Sequence, residues 1–300
     1  MKFIILLISL LLQRETRKKD YQRDRSWFVT LTKAFNVDGK PPRKQIAIYL
    51  LCAILPALLL TVVFVNMKGF VWGSVAVLLQ IALFLYVLGR DDVTTRFKEY
   101  RKCWQAKDYQ GAYHCAQRDM GIEQDMSPSA EGEEKADIGD VKFEQACVED
   151  PKTLHKKVYE TVALAWFTRF FVLIFWFVVG GVPLALSALL TYWFAQEYKF
   201  TWVQSLVSAM EWVPSRLLGF TLALAGDFTD KFASALKYGM DFTTTAHEVV
   251  VDISSQRDTS EVFNAEEAHE QLKELNQLMY RGAVIWLIVI GAATLFGNLS

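Results

Sequence analysis

Long stretches of this 300-residue chain lack charge altogether, although the whole carries 32 basic and 33 acidic side chains and a net charge of −1. Residues 46–65, 70–89 and 170–195 hold no Asp, Glu, Lys or Arg, and neither do residues 282–300. Each run is close to or above the roughly 20 residues with which a helix crosses about 30 Å of hydrocarbon. The runs also lack the polar stripe at every third or fourth position that a soluble core helix shows. This double absence argues against a soluble globular enzyme. It predicts an all-α, polytopic membrane protein whose first partner is the lipid bilayer.

Other absences narrow the chemistry. Four cysteines, at 52, 103, 115 and 147, are too few and too irregularly spaced for a disulfide framework, and they suit a reducing compartment. No C-x-x-C or H-x-x-x-H pair accompanies Cys103, His114, Cys115 and Cys147, so they read as ordinary thiols beside a surface histidine, and no metal site is expected. There is no Ser/His/Asp order, no H-E-x-x-H, no Walker A, no G-x-G-x-x-G and no internal repeat. The four histidines (114, 155, 247, 269) all stand in hydrophilic regions, which offers no intramembrane proton relay. No catalytic residue is assigned, and no nucleic-acid partner is expected. The hydrophobic start, Lys2 followed by residues 3–12, lacks a small-residue cleavage site, and as a helix its ten apolar residues reach only about 15 Å. It reads as an uncleaved segment packed beside other helices or entering the membrane part way.

Charge orders the segments. Residues 1–45, a basic N-terminal segment with that short helix, contain eleven Lys or Arg against four acids, which places them in the cytoplasm. Residues 46–89 form a transmembrane hairpin through the short loop 66–69, with Pro56 placed to kink its first arm. Residues 90–162 return to the cytoplasm as a hydrophilic loop. There Phe97, Tyr100, Trp104, Tyr109, Ala112, Tyr113 and Ala116 predict two short antiparallel helices turning near Asp108, followed by an acidic flexible linker at 123–140. Residues 163–226 form a second membrane region, in which Gly180, Gly181 and Pro183 either break a helix or let a neighbour approach closely. Residues 227–281 are an acidic hydrophilic loop ending in a helix from Asn264 to Arg281 that runs into a C-terminal span at 282–300. The side of that loop turns on residues 203–225: cytoplasmic if they span, outside if they lie on the surface. The expectation adopted is that 170–195 goes out and 203–225 comes back.

Two local sequences carry the candidate site. In EWVPSRLLG, residues 211–219, Glu211 and Arg216 are ionisable groups inside an apolar segment, where such groups are costly and face an interior partner or a cavity. Five residues apart, they are poorly placed to pair on an intact helix, whereas a break at Pro214 would bring them together. The alternative is that Glu211 ends a helix while Arg216 snorkels or bonds a carbonyl. A buried guanidinium also offers a fork for the carboxylate or phosphate of a small anionic ligand. The second sequence, RFFVLIFWFVVGG at 169–181, places Arg169 at the membrane boundary ahead of aromatic anchors.

These two motifs, with the hydrophobic start and the C-terminal span, resemble the AmpE family of Gram-negative inner-membrane proteins. The resemblance rests on Arg169, Phe175, Trp176, Gly180, Gly181, Trp212, Val213, Pro214, Arg216 and Leu217. It implies a multi-pass bacterial inner-membrane protein with a regulatory or sensor-like part in β-lactamase induction, alongside cell-wall recycling components. Arg216, Glu211 and Arg169 become candidates for ligand binding, with Trp176, Gly180, Gly181, Trp212, Pro214 and Ser215 as motif residues. AmpE is itself similar to the CobD/CbiB membrane enzymes, which implies an alternative, a ligase or nucleotide-binding enzyme using ATP on an amphiphilic substrate. The chain departs from that second pattern at residues 192–198, at Val207 and Ser208, and at Glu211.

Overall fold

The structure, a computed structural model, describes residues 2–15, 25–37, 39–67, 70–89, 93–120, 151–226, 228–239, 241, 243–255 and 265–297. The linker at 123–140, Cys147, Asn264 and the basic cluster at 17–19 lie outside them. Every regular element among the described residues is helical. The helices are α1 (Lys2–Glu15), α2 (Ser26–Ala34), α3 (Pro42–Tyr49), α4 (Leu55–Asn66), α5 (Phe70–Leu88), α6 (Val93–Gln105) and α7 (Tyr109–Met120). After the undescribed stretch come α8 (Pro151–Trp166), α9 (Val172–Glu197), α10 (Thr201–Ala225), α11 (Phe228–Gly239), α12 (Ala246–Ser254) and α13 (Ala265–Leu295).

Among the described residues, three helices are long and apolar enough to cross a membrane: Pro42–Asn66, Lys152–Glu197 and Glu266–Leu295. The first joins α3 to α4 through a π-helical turn, Leu50–Ile54, immediately before Pro56. The wider turn makes room for a proline ring that would otherwise press on the carbonyl four residues back. Helix α5, Phe70–Leu88, is 19 uncharged residues long, whereas α10 carries Glu211 and Arg216 within its 25 residues. Helices α4 and α5 each pack more extensively on α9 than on one another. Even so, α10 presents Leu206, Val213, Leu217 and Leu224 outward along its length, while both its charges turn inward. Such an outer stripe suits a lipid-facing helix.

The Lys152–Glu197 helix has 46 residues, and as a straight rod it would be about 69 Å long, over twice a hydrocarbon core. It breaks at Gly180 (φ −129°, ψ 15°) and Gly181 (φ 73°, ψ −166°). A side chain at Gly181 would be strained in that left-handed region. The structure thus chooses a broken helix over a merely close approach. The halves on either side both reach the end of α5: Phe177 lies on Phe84 with ring centroids 4.1 Å apart, and Trp193 lies 6.4 Å from Tyr86. At the break, the Lys2 ammonium donates to the Val178 carbonyl at 3.3 Å. Helix α1 packs along α5 and against α13, burying Ile5, Leu6 and Ser9 and exposing Ile4, Leu7, Ile8 and Leu11. Its packing is that of the accessory segment expected from its length.

Helices α6 and α7 turn at Ala106–Asp108, where Lys107 takes φ 58° and the Asp108 carboxylate accepts from the Gly111 amide at 2.9 Å. Their buried Tyr100, Trp104, Ala112 and Tyr113 share one core with Leu154 and Val158 of α8, Val249 and Val250 of α12, and Leu272 and Leu275 of α13. Hydrogen bonds cross the same interface, from Trp166 Nε1 to Asn276 Oδ1 (2.8 Å) and between His155 Nε2 and Gln271 Oε1 (3.2 Å). The hydrophilic stretches before and after the second membrane region therefore fold together as one cluster, on one side of the apolar helices.

Candidate functional site

Between α8, α11, α12 and α13 lies a cleft of about 1130 Å³, with Lys156, Tyr159, Lys237, Asp241, His247 and Glu274 among its walls. Two of those walls belong to helices that continue into segments long and apolar enough to cross a membrane, α8 into α9 and α13 through its own length.

Arg216 shapes one edge of the cleft. It is 5% exposed, and α10 passes through Pro214 as one helix, so the break expected there is absent. Without it the five-residue separation keeps Arg216 and Glu211 apart, and they do not pair. The guanidinium donates instead to Ser215 Oγ (3.0 Å) and to the backbone carbonyls of Asp241 (2.8 Å) and Thr244 (2.7 Å), with its Cζ 4.9 Å from the Trp212 ring centroid. These carbonyls belong to a loop 25 and 28 residues further on, not to the turn that Pro214 would free. Two carbonyls and a hydroxyl take three of its five N–H donors, the buried Nε–H having no partner, so Arg216 acts as a strap on the 241–245 loop. Ser215 supports it, donating its own proton to the Trp212 carbonyl at 2.8 Å.

The loop is locked from within as well. The Asp241 carboxylate accepts from the Thr243 amide, the Thr243 hydroxyl and the Thr244 hydroxyl, which together hold it well below the usual carboxylate range. Next comes Thr245, the N-cap of α12, with a reciprocal capping box to Glu248. A helix starting at a fixed point fixes its first turn, and His247 is in that turn.

His247 meets Glu211. Its Nε2 lies 3.4 Å from Oε2 of the carboxylate, while the Tyr192 hydroxyl donates to Oε1 at 2.6 Å. Glu211 is 3% exposed, whereas the imidazole is more than half exposed and faces the cleft. Hydrogen bonding to the carboxylate raises the His247 pKa against the opposing cost of burial. Chemically this is a buried carboxylate that stabilises a proton on a ring open to the cleft. The set can offer a cationic donor to an anion or exchange a proton with a bound molecule. Neither Tyr192 nor His247 stood out in the sequence, and no spacing signal links positions 192, 211 and 247.

Elsewhere on the wall, Lys231 Nζ donates to the carbonyls of Ile253 (2.6 Å) and Ser255 (2.8 Å), satisfying the C-terminal end of α12. Burial pushes the Tyr159 hydroxyl pKa up, and it donates to the Ser254 carbonyl at 2.7 Å. Burial also drives His155 down to about 4, leaving it neutral against Gln271.

The remaining expected residues are dispersed. Arg169 sits half-buried in the π-helical turn Phe167–Phe171 and is not among the cleft-lining residues. Trp176 packs against two buried clusters, the one that includes Leu154 and Phe171 and a second that includes Phe84 and Phe177, and Gly180 and Gly181 form the break in α9. Among the described residues, no group of three His, Cys, Asp or Glu side chains is placed to hold a metal ion. Compared with family models, curated proteins and solved structures, the chain matches none, so the site is defined by its own geometry.

Proposed function

We propose that this chain is a multi-pass protein of the bacterial inner membrane, of the AmpE type, acting as a sensor-like regulator of β-lactamase induction and the cell-wall stress response. The hydrophilic cluster is cytoplasmic in this reading, because basic residues flank the apolar runs that lead into it. A small anionic ligand from cell-wall turnover occupies the cleft, meeting the His247 imidazolium held by Glu211. The observation that carries the reading is the cleft's construction: α8 and α13 wall it and then run into segments long and apolar enough to cross a membrane. A ligand that draws these walls together biases the helix positions in the bilayer, the coupling a sensor requires.

The test is genetic. Deleting the gene from a strain with an inducible chromosomal β-lactamase should blunt induction by a sub-inhibitory β-lactam. The wild-type chain should restore the response, and a His247→Ala chain inserted at equal levels should not. Unchanged induction in the deletion strain refutes the regulatory role.

The Glu211–His247 pair also supports a second reading, a CobD-like membrane ligase in which that pair moves a proton during amide formation on an ATP-activated substrate. Growth of a cobalamin-ligase mutant rescued by this chain would establish it and displace the first reading.

A further inference from the structure

The α6–α7 hairpin carries a feature that the cleft does not use. Cys103 and Cys115 face one another across the two helices with their sulfurs 3.8 Å apart, and both side chains are partly exposed. Cys52, by contrast, is buried in the apolar α3–α4 rod. The two sulfurs are already at van der Waals contact and need to close by less than about 2 Å to reach a covalent S–S length. The three-residue turn at Ala106–Asp108 and the core contacts of the adjacent Trp104 hold the helices in register, so the thiols stay opposed.

We propose that Cys103 and Cys115 are a reversible dithiol–disulfide pair, oxidised by low-molecular-weight disulfides such as glutathione disulfide. One cysteine thiolate attacks a sulfur of that reagent, forming a mixed disulfide and expelling one glutathione thiolate. The second thiolate then attacks the cysteine sulfur of the mixed disulfide, closing the protein bond and expelling the other. Two electrons pass from the protein to the reagent, and the two protons released by the cysteines end on the two glutathiones. Closure pins α6 to α7. Because Trp104 of α6 lies 5.4 Å, ring to ring, from His155 on the cleft wall, the bond stiffens the support behind the cleft.

The experiment uses the full-length protein in its membranes. Glutathione disulfide is added, remaining thiols are blocked with N-ethylmaleimide, and the unreduced protein is digested with trypsin and weighed by mass spectrometry. Cleavage after Lys107 separates the two cysteines, so a bond joins the 103–107 and 108–118 peptides. The expected product is that linked pair, two hydrogens lighter than the separate peptides and parted by dithiothreitol. It should form equally in a Cys147→Ser chain. The Cys103→Ser and Cys115→Ser chains should instead trap glutathione on the remaining thiol. Separate maleimide adducts on both cysteines, or linkage of either one to Cys147, overturns the proposal.

Discussion

Replacing Arg216 by alanine should unfold the region around the cleft, and the size of the effect follows from what the guanidinium holds. It makes hydrogen bonds to Ser215 Oγ and to the carbonyls of Asp241 and Thr244, and it lies against the Trp212 ring. A hydrogen bond to a charged group contributes about 1.5–3 kcal/mol, and a partly desolvated cation–π contact about 1 kcal/mol. These contributions overlap, since one side chain makes them all, and a reasonable total for Arg216→Ala is about 4 kcal/mol. Arg216→Lys keeps the charge and one carbonyl partner but loses the planar fork, for a cost of about 2 kcal/mol. At roughly 2 °C per kcal/mol for a chain of this size, the midpoint should fall by about 8 °C for alanine and about 4 °C for lysine. The assay is thermal unfolding of detergent-solubilised protein, followed by the fraction that remains monodisperse after heating. An unchanged midpoint in the alanine variant would refute the strap and return Arg216 to the status of an open ligand-binding fork.

Three further outcomes follow from the same geometry. Glu211→Gln should lower the His247 pKa towards the ordinary 6.5, read from histidine NMR shifts; because the folded-state value is raised, the stabilisation this pair supplies is complete below about pH 6.5 and fades as pH rises through the folded value, and an unmoved His247 titration would dismiss the pairing. His155, lowered to about 4 by burial, works in the opposite sense: the stability tied to its neutral ring is present above about pH 6.5 and drains away as pH falls towards 4, and His155→Gln should flatten that part of the stability–pH curve. Gly181→Ala, forced to hold φ 73°, should lose about 1–2 kcal/mol and yield less folded protein, whereas wild-type yield and midpoint would mean that the break does not depend on this glycine.

The amino-acid sequence by itself determined the helical class, the apolar runs and the α6–α7 turn, because charge-free length and helical periodicity are local properties that each segment carries alone. It also marked Glu211 and Arg216 as costly in their apolar surroundings, since that cost depends only on the neighbouring residues. Their partners were decided by tertiary packing. Arg216 bonds carbonyls 25 and 28 residues away, and every peptide unit has a carbonyl, so no pattern in the sequence distinguishes the two that it uses. Glu211 meets Tyr192 and His247 only because α10 packs against α9 and α12 while a strapped, capped loop fixes where α12 begins. Likewise Gly180, Gly181 and Pro183 are compatible with either a break or a close contact. The choice fell to a break when both halves of the helix found their burial against α5. Local sequence set which groups needed a partner, and the path of the chain in space supplied it.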